Sequence, residues 1–155
     1  MSEQETYLGK GITEWAHTLE HSDPVLRRLA AYALGEIGPP ARAALPALRV
    51  VLQDADNWVR VWAAAAVAKV TGERSAVALL VAEMHAPQAF VRSLVAWHLG
   101  RLGADFPGIE AGIAALQQLL EDDDPSVQVE AGVALQALQC KGALPSGTAF
   151  LSSHP

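Results

Sequence analysis

The stretch 56–71, "DNWVRVWAAAAVAKVT", lines up without a gap on 23–38, "DPVLRRLAAYALGEIG". Two further stretches, "QAFVRSLVAWHLGRLG" (88–103) and "DPSVQVEAGVALQALQ" (124–139), continue the series. Arg27, Arg60, Arg92 and Gln128 share one slot, at offsets of 33, 32 and 36 residues. Eight positions later the slot holds Gly35, Ala68, Gly100 and Gln136. Self-similarity at such a period marks an array in which each unit buries its apolar face against the next.

Between these stretches lie others of helical length. They are "PPARAALPALRVVLQD" (39–54), "ERSAVALLVAEMH" (73–85) and "PGIEAGIAALQQLLED" (107–122), with the shorter "ITEWAHTLEH" (12–21) at the front. In the last, Ile12, Trp15, Ala16 and Leu19 follow i, i+3, i+4, i+7, one face of a helix. Asp-Pro at 23–24 and 124–125 puts a capping side chain before a proline suited to the first helical position. Gly38, Gly72 and Gly103 stand at or just past helix ends, where a left-handed residue is favoured. The chain therefore reads as eight helices in four pairs, 12–38, 39–71, 73–103 and 107–139. Residues 1–11 form an N-terminal arm and 140–155 a flexible C-terminal tail rich in Gly, Pro and Ser. That tail carries one apolar pair, Phe150–Leu151, able to dock on the last helix or on a partner.

The pattern D-P-x-V-R-x-x-A-A-x-A-L-G-x-I-G resembles the HEAT repeat, in the HEAT-like form found in phycobilin lyases, over residues 12–139. The resemblance implies an all-α, right-handed solenoid whose second helices line a concave surface. It also implies an aspartate–arginine ladder between repeats, matched by Asp23/Arg27 and Asp56/Arg60. Gln88 and Gln128 interrupt that ladder in the second half. A solenoid of this kind serves many tasks, so the fold by itself does not name a function.

Counted from the Asp slot of each second helix, slots 4, 8, 11, 12 and 15 carry small or aliphatic residues and form the packing face. In the second repeat these are Val59, Ala63, Ala66, Val67 and Val70. Slots 3, 7, 10 and 14 form a different stripe. They hold Val25, Leu29, Tyr32 and Glu36; Trp58, Trp62, Ala65 and Lys69; Phe90, Leu94, Trp97 and Arg101; and Ser126, Glu130, Val133 and Ala137. With neighbouring helices about 10 Å apart, the stripes merge into a patch centred on Leu29, Tyr32, Trp58, Trp62, Phe90, Leu94 and Trp97. Arg28, Glu36, Lys69, Arg101 and Glu130 rim it. An apolar patch with such a rim is the usual mark of a binding surface. Other readings stay open: the side chains pack on one another across a tightly curled groove, the C-terminal tail folds over them, or they line a small-molecule pocket. Trp15, on the apolar face of the first helix, is expected in the core. Truncating Trp58 or Trp62 is expected to spare the fold.

Composition removes several classes. The net charge of −6 argues against non-specific nucleic-acid binding and against docking on anionic membranes. No apolar run approaches the roughly 20 residues that span a bilayer, and the N-terminus has no charged-then-apolar leader pattern. Cys140 is the single cysteine, so neither an internal disulfide nor a cysteine zinc site is expected, and a cytoplasmic setting follows.

"HTLEH" (17–21) spells an inverted zinc-peptidase motif, but on a short terminal helix its histidines are expected to be solvated. His98 occupies slot 11, where other copies carry alanine, and is expected to be structural. "EDDD" (121–124) is expected to end one helix and cap the next. Deoxyhypusine hydroxylase, of similar fold, holds iron through His-Glu pairs, and this sequence has no such dipeptide. Alkylpurine glycosylases of HEAT-like fold need a basic surface for DNA. No metal and no cofactor are expected. The functional expectation is a non-enzymatic scaffold or adaptor that binds an apolar segment of another protein in the aromatic groove. The alternatives are a bilin lyase-like or pigment-handling subunit taking a tetrapyrrole, and a module that associates with itself.

Overall fold

The computed structural model describes residues 5–142. Among the described residues eight α-helices follow a short hairpin: α1 (Ile12–Thr18), α2 (Pro24–Ile37), α3 (Leu45–Val51), α4 (Asn57–Thr71), α5 (Ser75–Ala82), α6 (Ala89–Leu102), α7 (Ile109–Leu119) and α8 (Pro125–Gly142). They stack as an all-α solenoid in which α1/α2, α3/α4, α5/α6 and α7/α8 are the successive pairs.

The helix starts follow from their caps. Asp23 accepts from the Val25 amide, Asp56 from the Trp58 and Val59 amides, and Asp124 from the Ser126 amide. Gly72 ends α4 in a left-handed conformation at φ 64°. The 39–54 stretch is not one helix. A 3-10 segment, Pro39–Ala44, precedes α3, because Pro46 lacks the N–H that would bond back to the turn before it. The 73–85 stretch likewise ends in a 3-10 turn, Glu83–His85.

Two features depart from expectation at the ends. Thr6–Tyr7 pairs antiparallel with Lys10–Gly11, across a turn in which Leu8 and Gly9 both have positive φ, 48° and 74°. That is the geometry favoured by two-residue hairpins. The Tyr7 carbonyl accepts from Trp15 Nε1 at 3.0 Å, and Glu14 accepts from the Gly11 amide at 2.9 Å. Part of the arm is therefore pinned to the first repeat. At the other end α8 runs through Gly142, and the expected flexible tail, with Phe150 and Leu151, otherwise lies outside the described residues.

The core has two halves that meet at α4. Trp15, Leu19, Leu34, Leu48 and Val59 belong to the first, and Val77, Leu80, Val91, Leu99 and Leu116 to the second. α4 supplies Ala63, Ala66, Val67 and Val70 to one and Val61, Ala64 and Ala65 to the other. Alanine and valine on both packing faces let it lie between two neighbours.

The spacing of the second helices is uneven. α2 packs closely along α4, and α6 along α8, but α4 meets α6 more sparsely. The reason lies in the slot that holds Gly35, Ala68, Gly100 and Gln136. A Cβ on Gly35 would meet Ala66 Cα at 3.2 Å, and one on Gly100 would meet Ala134 Cα at 2.9 Å. These seams close glycine on alanine. In α6 the position equivalent to Ala66 and Ala134 is His98, and an imidazole there needs more room than a methyl group.

Charged pairs tie successive repeats. Arg27 donates to Asp54 at 2.7 and 2.9 Å, Arg60 to Glu83 at 2.7 and 2.9 Å, and Arg92 to Asp122 at 2.7 and 2.7 Å. Each arginine also donates to carbonyls ahead of its own helix, as Arg60 does to Asp54 at 2.8 Å. The ladder expected from Asp23 and Asp56 is thus corrected. Those residues cap their own helices, and the acids come from the end of the next first helix. Gln88 does not interrupt it, and Gln128 keeps the carbonyl contact, to Asp122 at 2.6 Å. Burial pushes the Asp54 carboxyl up, but the Arg27 hydrogen bonds, the Asp56 amide and the charges of Arg27 and Arg60 together hold it below its ordinary value; at Asp122 the Arg92 guanidinium is the main cause of the lowering.

Candidate functional site

The widened α4–α6 seam carries the aromatic stripe. Trp58 and Trp62 lie one turn apart on α4 and form a ridge between two hollows. The larger, a cleft of about 470 Å³, is lined by Trp58, Trp62, Phe90, Ser93, Leu94, Trp97 and Glu130, and so reaches from α4 across α6 to α8. The smaller, about 270 Å³, is lined by Val25, Arg28, Leu29, Tyr32, Trp58 and Trp62 between α2 and α4.

The rings also pack on one another. Tyr32 meets Trp62 edge-on at 5.3 Å between centroids, Trp58 meets Phe90 at 4.9 Å, and Trp62 meets Trp97 at 6.0 Å. Phe90 is 51% exposed, whereas Trp58, Trp62, Trp97, Leu29, Tyr32 and Leu94 are half-buried. Trp58 packs on one core half and Trp62 on the other. Each tryptophan therefore has one side on the core and one on a hollow, so ring-on-ring packing and an open face occur together. Ala65, assigned to the same stripe, is buried under α6 at 3% exposure.

The rim cations take two roles. Lys69 pairs with Glu36 at 2.5 Å. Arg28 lies over the Trp58 ring at 4.2 Å and Arg101 over the Trp97 ring at 4.6 Å. Such stacking holds a guanidinium flat on the ring while its N–H edge stays available.

His98 is 2% exposed and is held between Trp62 and Trp97, at 4.5 and 4.8 Å. Burial, with Lys69 and Arg101 nearby, pushes its pKa down to about 3, so it is a neutral wedge. Nε2 of His98, Nε1 of Trp58 and Oγ of Ser93 are buried without a hydrogen-bond partner among the described residues.

Tyr7 was not singled out from the sequence. Its ring meets Tyr32 edge-on at 5.6 Å, and the interaction between the two hydroxyls helps push the Tyr32 pKa up to about 12. The two-residue strands that place Tyr7 carry too short an alternation to read. Ser93 belongs to a slot that holds Arg28, Val61 and Val129 in the other copies, so no repeated residue type marks it. Elsewhere, His21 Nδ1 accepts from the Asp23 amide at 3.0 Å, and Asp122 and Asp124 serve the ladder and the α8 cap. Among the described residues no three His, Cys, Asp or Glu side chains gather as a metal ion would need, and no helix is long and apolar enough to cross a membrane.

A family model described as HEAT repeats matches residues 12–100, and one described as PBS lyase HEAT-like repeat matches residues 91–122. No curated protein matches at a significant level. Among solved structures, the complex of CpcE and CpcF of phycocyanin lyase from Nostoc sp. PCC7120 matches with a TM-score of 0.59 at 23% identity, over 83% of this chain and 78% of that one. A crystal structure of an engineered protein, a structural-genomics target, matches with a TM-score of 0.56 at 24% identity, over 84% of this chain. The match spans 63% of the engineered protein's length. At these identities the likeness is one of fold.

Proposed function

The chain belongs to the HEAT-repeat family, and from that premise we propose that it is a non-enzymatic scaffold or adaptor that binds a segment of another protein on the α4–α6 face. One observation carries the reading: the repeat closes two seams with glycine on alanine, whereas the sparser α4–α6 seam carries a 470 Å³ cleft walled by Trp58, Trp62, Phe90 and Trp97. Aromatic side chains that are half-packed and half-free are suited to anchoring a partner, because their conformations are already fixed before binding. Leu29 and Tyr32 extend the surface across the ridge. Arg28, Lys69 and Arg101 set register at its edge. The setting proposed is cytoplasmic, where a lone reduced cysteine such as Cys140 is ordinary.

The test is retention of proteins from a lysate of the source cells by wild type and by Phe90→Glu, a change at an exposed ring. A partner held by the first and released by the second supports the reading, and identical retention overturns it.

A second reading has its own support. The lyase-type repeat match at residues 91–122 covers Arg92 through Trp97 and Arg101, and a flat tetrapyrrole fits against tryptophan faces with arginines for its acid groups. An absorbance change on mixing with a free bilin, lost in Trp97→Ala, favours that reading; an unchanged spectrum favours the scaffold.

A further inference from the structure

The second helices carry their cations in two ways. Arg27, Arg60 and Arg92 are each spent on a carboxylate, and Lys69 is spent on Glu36. Arg28 and Arg101 make no ion pair among the described residues, and each is stacked on a tryptophan. In a chain of net charge −6, two guanidinium groups left without acids on one face call for an explanation.

Their placement supplies it. Arg28 covers Trp58, Trp62 follows one turn along α4, Trp62 touches Trp97 at 6.0 Å, and Arg101 covers Trp97. The order is cation, three indoles, cation, running diagonally from α2 across α4 to α6. From the ring contacts and the pitch of α4 the track is roughly 20 Å long.

We propose that this diagonal docks an amphipathic helix of a partner protein, with an apolar stripe on the indoles and a carboxylate near each end for Arg28 and Arg101. At 1.5 Å per residue, and with side chains reaching outward, the two acids stand about seven to eleven residues apart. The apolar anchors between them recur at i, i+3 or i+4 and i+7. Recognition is by contact rather than by long-range steering. The chain's overall negative charge is screened beyond about 8 Å at physiological salt, whereas a carboxylate on a stacked guanidinium is within hydrogen-bonding reach. This rests on the scaffold reading and adds the partner's charge pattern to it.

The experiment is selection of 16-residue peptides from a random displayed library on the full chain, with Phe90→Glu protein as counter-selection. The result expected is enrichment of Asp or Glu at both ends of an apolar helical stripe. The selected peptides should bind Arg28→Gln and Arg101→Gln each at least about threefold more weakly. Arg101→Glu should prefer the same peptide with Lys at that end, a reversal that a packing role for Arg101 would not produce. Peptides sensitive to Phe90→Glu but without acidic ends, or indifferent to both arginine changes, overturn the charge pattern and leave the groove standing. A selection in which no peptide distinguishes wild type from Phe90→Glu overturns both.

Discussion

Gly100 of α6 lies against Ala134 of α8 so closely that a Cβ on the glycine would stand 2.8 Å from the alanine Cβ. Gly35 meets Ala66 less tightly, at 3.4 Å for the corresponding atoms. Replacing Gly100 by Ala is expected to destabilise the fold by about 1–3 kcal/mol through overpacking. Gly35→Ala is expected near neutral, since its smaller crowding is offset by a helix-propensity gain of up to about 1 kcal/mol. Chemical denaturation of the two variants checks the contrast. Equal effects would mean that the two seams are alike.

The Arg92–Asp122 pair holds its geometry at 16% and 9% side-chain exposure. Arg92→Lys keeps the charge but loses the two-pronged contact, so a cost of about 1–2 kcal/mol is expected. The carboxyl is held below its ordinary value of 3.8, so its contribution is present above that value and lost as pH falls through the lowered one. Wild type and variant should therefore converge in strong acid. Urea midpoints measured at neutral and acid pH test both parts.

His98 gives a second, separate pH dependence. Its pKa falls from 6.5 in the ordinary case to about 3 in the fold. Between those values the unfolded chain binds a proton that the folded chain refuses, so stability rises with pH. The slope approaches about 1.4 kcal/mol per pH unit at most. His98→Phe, which keeps a ring in the wedge, is expected to flatten the slope between pH 4 and 6. Thermal midpoints against pH read this out, and an unchanged slope would show that His98 is protonated in the fold.

Half-burial sets the cost of truncating the ridge. Trp62→Ala is expected to cost about 2 kcal/mol, below the range for a fully buried aromatic. Phe90→Glu, at an exposed ring, should stay within about 0.5 kcal/mol of wild type. Thermal unfolding separates them. The binding surface is then best probed at Phe90, where stability and capture are not entangled.

The repeat was legible because the arginine slot and the Asp caps recur in register, and a packing face of alanine and valine is chemically distinct from an aromatic one. Trp15 could be placed for the same reason. The ladder acids were not legible. Asp54, Glu83 and Asp122 lie in the loosely spaced ends of the first helices, outside the slot numbering, whereas the family resemblance points to Asp23 and Asp56. The hairpin at residues 6–11 rests on two-residue strands that leave no periodic trace. The seven aromatic and aliphatic residues of the patch were found by spacing, but how deep each sits depends on the α4–α6 distance. That distance is a three-dimensional feature, with His98 packed against Trp62 and Trp97, that spacing along one helix does not reveal.

The four tryptophans give the most direct test of the binding face. Protein labelled with 5-fluorotryptophan, with resonances assigned from single Trp→Phe variants, is titrated with a captured partner segment. The account predicts that the Trp58, Trp62 and Trp97 resonances shift together while that of Trp15, buried under the hairpin at 2% exposure, stays in place. A bound partner that leaves those three unmoved would contradict it.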